Sequence, residues 1–315
     1  MAHTQFNLLN QSCWNCSTSL PQGTTTASHV SKLLADDEVI ILSVVCALAS
    51  VMGTLGNFLV LLAVRKNELL RTIPDLFITS LAYSDFSVCA LFLPMSIYEF
   101  NHSENEIFAA VKSFLGHTSM VASATNMFAV TVDRIIAIRY PFKYVTIMTT
   151  RNALVGIVVV WVVSLVFGAL YAPNLVPRMY LVLYSAALLL TTIFMYVYIF
   201  IIAKRQENRI QNIQQGSIGS TAEKKVAKTI FTIVGIYALF WLPVLLLPII
   251  INPATEAVEF LKRFQWVQTM LACNSAINPY IYCMRSKKYR TAFGKILRIQ
   301  RYVDRNLTEH SLTIR

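Results

Sequence analysis

The chain has 315 residues, of which 56% are hydrophobic and 14% are charged, whereas soluble domains average roughly 45–50% apolar and about 25% charged residues. With a mean hydropathy of +0.55, this composition excludes a disordered protein and argues against a soluble enzyme. The net charge of +11 would suggest a nucleic-acid partner in a soluble protein, but its one-sided distribution indicates membrane topology instead.

Seven apolar blocks of membrane-spanning length follow one another along the chain. Each lacks Lys, Arg and Glu and holds at least 20 residues, about what a helix needs to cross a hydrocarbon layer of ~30 Å. The blocks cover residues 39–64, 76–98, 113–132, 152–177, 179–203, 229–255 and 264–284. Backbone polar groups in lipid must be satisfied within the protein, and blocks of this length favour helices over barrel strands. The predicted fold is therefore an all-α membrane protein, a seven-transmembrane-helix bundle.

Basic residues are distributed unequally between the two sides of this bundle. Only five of the 27 Lys and Arg residues lie on the side shared by the N-terminus and the even-to-odd loops, namely Lys32, Lys112, Arg178, Lys262 and Arg263. By the positive-inside rule, that side is extracellular and the C-terminus is cytosolic. The basic charge is thus topological, and no nucleic-acid partner is expected.

The extracellular side carries sequons for N-linked glycosylation. Asn10 and Asn15 in the tail and Asn101 in the second-to-third loop each begin an Asn-X-Ser motif. All three lie on the side where glycosylation takes place, so we expect at least one to be modified.

A short amphipathic segment follows the seventh span. Residues 285–298 place Tyr289 and Phe293 on one helical face, which predicts an eighth helix at the membrane surface. The predicted organisation is an extracellular tail at 1–37, a seven-helix domain at 38–285, and the amphipathic helix with a cytoplasmic tail at 286–315.

An acidic residue lies near the middle of the second span. Asp85 in the hydrocarbon core costs on the order of 2.5–3.5 kcal/mol on insertion scales and needs partners. The candidates are polar residues of the third and seventh spans, namely Ser123, Asn274, Ser275 and Asn278. A carboxylate among hydroxyl and amide oxygens can hold a hard monovalent cation or be protonated within a hydrogen-bond network.

A second charged group lies at the inner end of the third span. Asp133 can restrain its neighbour Arg134 by an ion pair, and Glu223 at the start of the sixth span could supply a second carboxylate. Glu223 and Trp241 lie five turns apart on one face of the sixth helix, so a tilt would move both ends together. Pro243 supplies the hinge, because it removes a backbone donor.

Taken in order, the motifs of the spans resemble the rhodopsin-like class of G-protein-coupled receptors over essentially the whole chain. They are Gly56-Asn57 with Val60, Leu81-Ala82-Tyr83-Ser84-Asp85, Asp133-Arg134-Ile135, Trp161, Phe240-Trp241-Leu242-Pro243 and Asn278-Pro279-Tyr280-Ile281-Tyr282. The resemblance implies a plasma-membrane receptor that passes an extracellular ligand signal to a heterotrimeric G protein. It also implies arrestin, receptor kinases and membrane lipid as further partners, and no enzymatic activity.

The resemblance assigns roles to individual residues. The class has an allosteric sodium site at the positions of Asp85, Ser123, Trp241, Asn274, Ser275 and Asn278. Apart from this ion, the resemblance implies no cofactor. Arg134 matches the arginine that meets the G protein, and Glu223 would be the sixth-span half of its inactive-state lock. Tyr196 and Tyr282 match the tyrosines that turn inward in active states, and Pro243 matches the sixth-span hinge.

Several positions depart from the common pattern of the class. Ala109 replaces the usual third-span cysteine, the second outer loop is short, and Leu188 replaces the usual fifth-span proline. These departures look like the melanocortin-type receptors, within the group shared with adenosine and cannabinoid receptors. The acidic cluster with which melanocortin receptors hold a basic peptide is not reproduced, and only Glu99 is near that region.

The ligand can be bounded by the same resemblance. Gly116 stands where amine receptors have an aspartate, so a monoamine would lack its counter-ion. The expected pocket is mostly apolar and consists of Glu99, Gly116, His117, Met120, Tyr184, Trp241, Val244, Leu245 and Gln268. Such a pocket favours a lipid-like or small apolar ligand.

Two alternative functions remain open. Acidic residues at the outer rim, Glu99 among them, would suit a peptide ligand of the melanocortin kind. An ion-coupled transporter could use Asp85 for its coupling ion. An intramembrane zinc enzyme is disfavoured, because His117 is the only histidine within a span and a His-rich zinc site cannot be built; no metal site is expected.

Overall fold

The computed structural model describes residues 33–102, 105–172, 175, 178–213, 235–236, 239–252 and 255–297. Its main helices are α1 (Asp36–Lys66), α2 (Ile73–Asn101), α3 (Glu106–Arg139), α4 (Thr150–Tyr171), α5 (Arg178–Ile213), α6 (Leu239–Ile250), α7 (Ala257–Arg285) and α8 (Lys287–Ile296). Two short helices, Glu68–Leu70 and Tyr144–Ile147, follow α1 and α3. Throughout these ranges the only regular structure is helical.

Five described helices are long and apolar enough to cross a membrane, namely α1 to α4 and residues Val182–Ile202 of α5. The described part of α6 is a shorter apolar stretch, and α7 is long enough but carries more polar residues. The outward face of α1 exposes apolar side chains such as Leu48, Val51 and Leu55. A surface of this kind is solvated by lipid rather than by water.

Several helix ends differ from the predicted apolar blocks. Helix α3 spans Glu106–Arg139 rather than 113–132, because backbone hydrogen bonding continues into the aqueous layers on both sides. Helix α4 ends at Tyr171 rather than at 177. Pro173 follows in the sequence, and a proline has no amide proton with which to continue the helical hydrogen bonds.

Helix α2 contains a π-helical turn directly after Asp85. The turn covers Val88–Phe92, and the amide of Leu93 bonds to the carbonyl of Val88. Pro94 explains the widening, because it has no amide proton and its ring clashes with the carbonyl four residues earlier. The outer part of α2 is thereby rotated relative to the part that carries Asp85.

Helix α3 lies at the centre of the described bundle and packs against α2, α4 and α5. Its contact with α4 is close at Gly168, where an added Cβ atom would overlap the Thr118 hydroxyl and lie 3.1 Å from the Phe114 carbonyl oxygen. Helices α2 and α4 are joined by a hydrogen bond of 3.1 Å from the Trp161 indole nitrogen to the Ser80 hydroxyl.

Helix α8 folds back against α1 and the start of α2. The Tyr289 hydroxyl donates to the Asp75 carboxylate at 3.0 Å, and the same carboxylate accepts the Thr72 hydroxyl at the N-terminus of α2 at 2.5 Å. Burial raises the pKa of Tyr289, and the adjacent carboxylate raises it further. Tyr289 is therefore a stable donor that fixes the predicted amphipathic helix to the bundle.

Candidate functional site

The centre of the candidate site is the fully buried carboxylate of Asp85. The Ser123 hydroxyl of α3 donates to Oδ1 at 2.8 Å, and the Asn278 amide of α7 donates to Oδ2 at 2.7 Å. The Ser275 side chain is a further hydrogen-bond neighbour. One carboxylate thus ties three helices together, and hydrogen bonds to a charged acceptor are stronger than neutral ones.

Helix α1 closes the other side of this centre through Asn57. The buried Asn57 amide donates to the carbonyl of Ser275 at 3.1 Å and to the carbonyl of Gly53 at 2.9 Å. Gly53 allows this approach, because a Cβ atom there would lie 2.9 Å from the Cα of Ala276. The backbone of α7 beside Asp85 is therefore held in place by α1.

A cavity of about 140 Å³ leads from the Asp85 network to the inner end of α3. Its polar lining consists of Asn274, Asn278, Tyr196, Tyr282 and Arg134, and the remaining wall is apolar. The volume suffices for several water molecules. Two residues predicted for the sodium site, Asn274 and Asn278, and three predicted for G-protein coupling, Arg134, Tyr196 and Tyr282, thus line one cavity.

At the inner end of α3, the buried carboxylate of Asp133 has two partners. The Tyr144 hydroxyl donates to Oδ1 at 2.7 Å, and Arg134 Nε lies 3.8 Å from Oδ2. Burial raises the pKa of Tyr144 to about 12, and the bonded Asp133 carboxylate adds to the shift. Arg134 is partly exposed, with 45% of its side chain accessible. Tyr144 was not predicted from the sequence, since a loop tyrosine carries no distinguishing pattern.

The sixth-span residues of the predicted switch are only partly described. Glu223 lies outside the described residues. Trp241 is buried in a cluster with Ala124, Leu189 and Leu271, and Pro243 lies two residues further within α6. Trp241 thus packs against α3 at Ala124, directly after Ser123 in the sequence, and against α7 at Leu271.

The outer half of the bundle holds most of the predicted pocket residues. Met120, Val244 and Leu245 pack on the Trp241 cluster, and the Tyr184 hydroxyl hydrogen bonds that of Thr125 at 2.8 Å. Gln268 is half-buried on α7. This part of the pocket is apolar with few polar groups.

His117 takes part in local packing on α3. Its Nδ1 atom lies 2.7 Å from the Ser113 carbonyl oxygen, and its ring stacks on Tyr171 with 5.5 Å between centroids. These contacts orient the ring and join the outer ends of α3 and α4.

Gly116 is closely covered by the Phe92 ring. A Cβ atom at this position would lie 2.6 Å and 2.8 Å from two carbons of that ring. An aspartate would not fit here without displacing Phe92, which comes from the π-helical turn of α2. The residue expected in amine receptors is thus missing here, and introducing it would require the Phe92 ring to move.

Glu99 is buried and forms an ion pair with Lys112 of α3. The lysine ammonium also lies 5.5 Å from the centre of the Phe92 ring. Sequence reasoning treated Lys112 only as one of the few extracellular charges. The pairing could have been suspected from the register, since both residues lie at the outer ends of adjacent spans.

The glycosylation candidates fall in different parts of the chain. Asn10 and Asn15 lie outside the described residues. Asn101 is exposed at the end of α2, where its amide donates to the Ile97 carbonyl at 2.7 Å and to the Ser43 hydroxyl at 3.2 Å.

Comparison with known proteins adds an independent observation. The family described as "7 transmembrane receptor (rhodopsin family)" matches residues 56–282. Melanocortin receptor 3 of Homo sapiens is 30% identical over 78% of this chain and 82% of its own length. Melanocortin receptor 5 of Mus musculus is 28% identical over 85% and 87%, respectively. The alpha-1A adrenergic receptor of Bos taurus is 28% identical over 87% and 71%.

Proposed function

Because the chain belongs to the rhodopsin family of seven-transmembrane receptors, it is a multi-pass membrane receptor that couples an extracellular ligand to a G protein, and we propose that Asp85 and Arg134 are the two ends of its switch. The resemblance inferred from the motifs is confirmed, as is the likeness to the melanocortin group. The seven-helix fold class is confirmed by the same family match.

The observation that carries this proposal is the cavity joining the two ends. It is bounded by Asn278, which donates to Asp85, and by Arg134 and Tyr196 near the inner surface. An agonist beside Trp241 would favour an arrangement in which the inner end of the sixth span moves outward and Arg134 leaves Asp133. Such coupling requires only that the ligand and the G protein prefer the same one of two states.

A sodium ion is the allosteric ligand that suits the Asp85 network. The Asp85 carboxylate and the hydroxyls of Ser123 and Ser275 would hold the ion, with Asn274 nearby; these are hard oxygen ligands suited to a small cation. The ion would supply a positive charge that offsets the buried carboxylate and favours the closed state. The residues themselves hold the second, third and seventh helices together.

We further propose that the ligand is lipid-like or small and apolar. The apolar cluster around Trp241 supports this reading, and Phe92 leaves no space for an amine-binding aspartate at Gly116. Glu99 is engaged by Lys112, which reduces its availability to a basic peptide. A peptide ligand, suggested by the name of the melanocortin relatives, is therefore the second candidate.

The topology proposed from the charge distribution places the N-terminus outside the cell and the C-terminus in the cytosol of a plasma-membrane receptor. In that orientation Arg134 and α8 face the G protein, and also arrestin and receptor kinases as further partners. The apolar outer faces of the helices are in contact with membrane lipid.

The first experiment is nucleotide exchange on a panel of G proteins in membranes carrying the wild type, Arg134→Ala or Arg139→Ala. Arg139 is the matched control, because it ends the same helix and stacks on Tyr140 outside the cavity. We expect exchange with a lipid or peptide library to depend on Arg134 alone. Ion-gradient-driven substrate uptake without exchange, by a correctly folded surface protein, would favour the transporter alternative.

A further inference from the structure

A groove runs along the outer surface of the bundle between α1 and α2. It encloses about 750 Å³. Its walls are formed by Phe58, Leu61 and Leu62 of α1 and by Thr79, Tyr83 and Phe86 of α2. Phe58 and Tyr83 are 52% and 55% exposed. The walls lie within two membrane-spanning helices, so the material facing this groove is lipid.

Two arginines form the rim at one end of the groove. Arg65 lies in the last turn of α1, and Arg71 lies in the loop before α2. The Arg71 guanidinium donates to the backbone carbonyl of Arg65 at 2.9 Å, which brings the two side chains to the same corner. Lys66 adds a third positive charge beside them.

The nearby carboxylate of Glu68 does not neutralise the positive charge of this rim. Glu68 lies 3.7 Å from one Arg71 nitrogen, but both side chains are largely exposed, at 87% and 54%, so the pair is weak. Within the described ranges no carboxylate comes within ion-pair distance of Arg65. The rim therefore keeps a net positive charge at the end of the membrane-spanning helix α1.

The groove has the length and polarity of a lipid site. The wall from Phe58 to Arg65 rises about 10 Å along α1, roughly two thirds of one leaflet of a ~30 Å hydrocarbon core. Side chains on a helix lean toward its N-terminus, so Tyr83 leans toward the arginine rim. Its phenol is an amphipathic group whose hydroxyl requires a polar partner in a lipid surround.

We propose that this groove binds one anionic phospholipid of the cytosolic leaflet, with an acyl chain between α1 and α2 and the headgroup phosphate on Arg65 and Arg71. The choice of an anionic lipid follows from charge complementarity, because the cytosolic leaflet is the one rich in acidic headgroups. The cytosolic position rests on the proposed topology, whereas the binding test is independent of it, since both leaflets of a nanodisc contain the same lipids.

The experiment measures lipids retained by the purified full-length receptor. The protein is reconstituted in nanodiscs of phosphatidylcholine with phosphatidylserine, transferred to detergent, and analysed by native mass spectrometry. Each basic side chain near an anionic surface is worth about a fivefold gain in binding, so Arg65→Gln with Arg71→Gln should lower phosphatidylserine retention about 25-fold. Lys287→Gln with Lys288→Gln is the matched control with the same charge loss on α8, and should change retention less than twofold.

Further variants and competing ligands distinguish an anionic phospholipid in the groove from other ligands. Thr79→Trp fills the groove and keeps both arginines, so it should lower phosphatidylserine retention to a similar extent. Unchanged retention would mean that the arginines attract the headgroup without an acyl chain in the groove, and would overturn the proposal. Phosphatidylcholine or a sterol retained as well as phosphatidylserine, with no dependence on the arginines, would also overturn it, as would equal competition by soluble glycerophosphoserine. All variants are compared only after their thermal unfolding matches that of the wild type, and nucleotide exchange measured in parallel reports separately on the proposed receptor function.

Discussion

Replacing Asp85 by asparagine is the sharpest test of the proposed sodium site. The aspartate accepts one bond from Ser123 at 2.8 Å and one from Asn278 at 2.7 Å. An asparagine can keep both contacts, because its oxygen can accept from Asn278 while its amide donates to the Ser123 hydroxyl, which can rotate to accept. The packing and these two hydrogen bonds are therefore preserved, while the negative charge is removed.

The expected magnitude follows from that single change. A hydrogen bond to a charged group contributes roughly 1.5–3 kcal/mol, and we take the same magnitude for the contact between the ion and the carboxylate charge. Each 1.4 kcal/mol is a factor of ten in affinity. Asp85→Asn should therefore weaken sodium binding about 10- to 100-fold. Ser123→Ala removes one neutral oxygen and leaves the carboxylate, so it should weaken sodium binding by a smaller factor.

The assay is G-protein nucleotide exchange during a sodium titration, with potassium replacing sodium at constant ionic strength. In the wild type, sodium should lower basal exchange and agonist affinity more than potassium does. Ser164→Ala is the matched control, because the hydrogen bond of this buried serine within the described residues goes to the Val160 carbonyl of its own helix. A full sodium response in folded Asp85→Asn, or an equal response of the wild type to both cations, would refute the sodium site.

Three further predictions concern the ends of the bundle. Tyr144→Phe should raise basal nucleotide exchange about 5- to 150-fold, since an unpaired buried acceptor costs about 1–3 kcal/mol. The pKa of Tyr144 is about 12 in the folded protein and about 10 in the unfolded chain, so the Tyr144 hydroxyl keeps its proton and its bond to Asp133 below pH ~10. The ratio of nucleotide exchange between Tyr144→Phe and the wild type should therefore be constant between pH 6 and 9. Gly168→Ala should lower the melting temperature of the purified receptor through overpacking of about 1–3 kcal/mol, whereas Gly156→Ala, whose Cβ meets only ordinary contacts, should not; equal melting temperatures would contradict the close contact. Lys112→Met should destabilise the receptor by about 3–5 kcal/mol by leaving a buried carboxylate unpaired, and adding Glu99→Gln should recover most of that loss in the same melting assay; no recovery would show that the ion pair is not the cause.

The parts of the site that sequence reasoning anticipated are those where lipid makes a residue type conspicuous. Asp85 in an apolar block requires partners, and the hydroxyl and amide groups of the other spans are few, so Ser123 and Asn278 could be named before the structure joined them. The same reasoning identified the helical blocks, because backbone groups in lipid leave no alternative. It could not give the helix ends, since helices continue into water where no apolar pattern marks them.

Contacts outside the hydrocarbon core were not predictable in this way. Tyr144 lies in a short loop helix, and its bond to Asp133 depends on how that loop packs. Gly116 could be recognised as a missing aspartate, but the Phe92 ring that covers it comes from a π-helical turn whose rotation no sequence pattern specifies. These contacts depend on the relative rotation of neighbouring helices, which is a property of tertiary packing.

The buried pair between Lys112 and Glu99 bears on how the switch can move. Ala109 stands where most of the class anchors the third helix by a disulfide, and Lys112 lies one turn further into the same helix. A paired charge that is costly to separate holds the outer end of α3 against α2, and the close contact at Gly168 holds it against α4. The inner end instead borders the cavity at Arg134, where side chains have space to rearrange. Since packed interfaces shift between discrete arrangements more readily than they deform, a ligand at the outer pocket would leave α3 fixed and transmit its effect through the sixth helix.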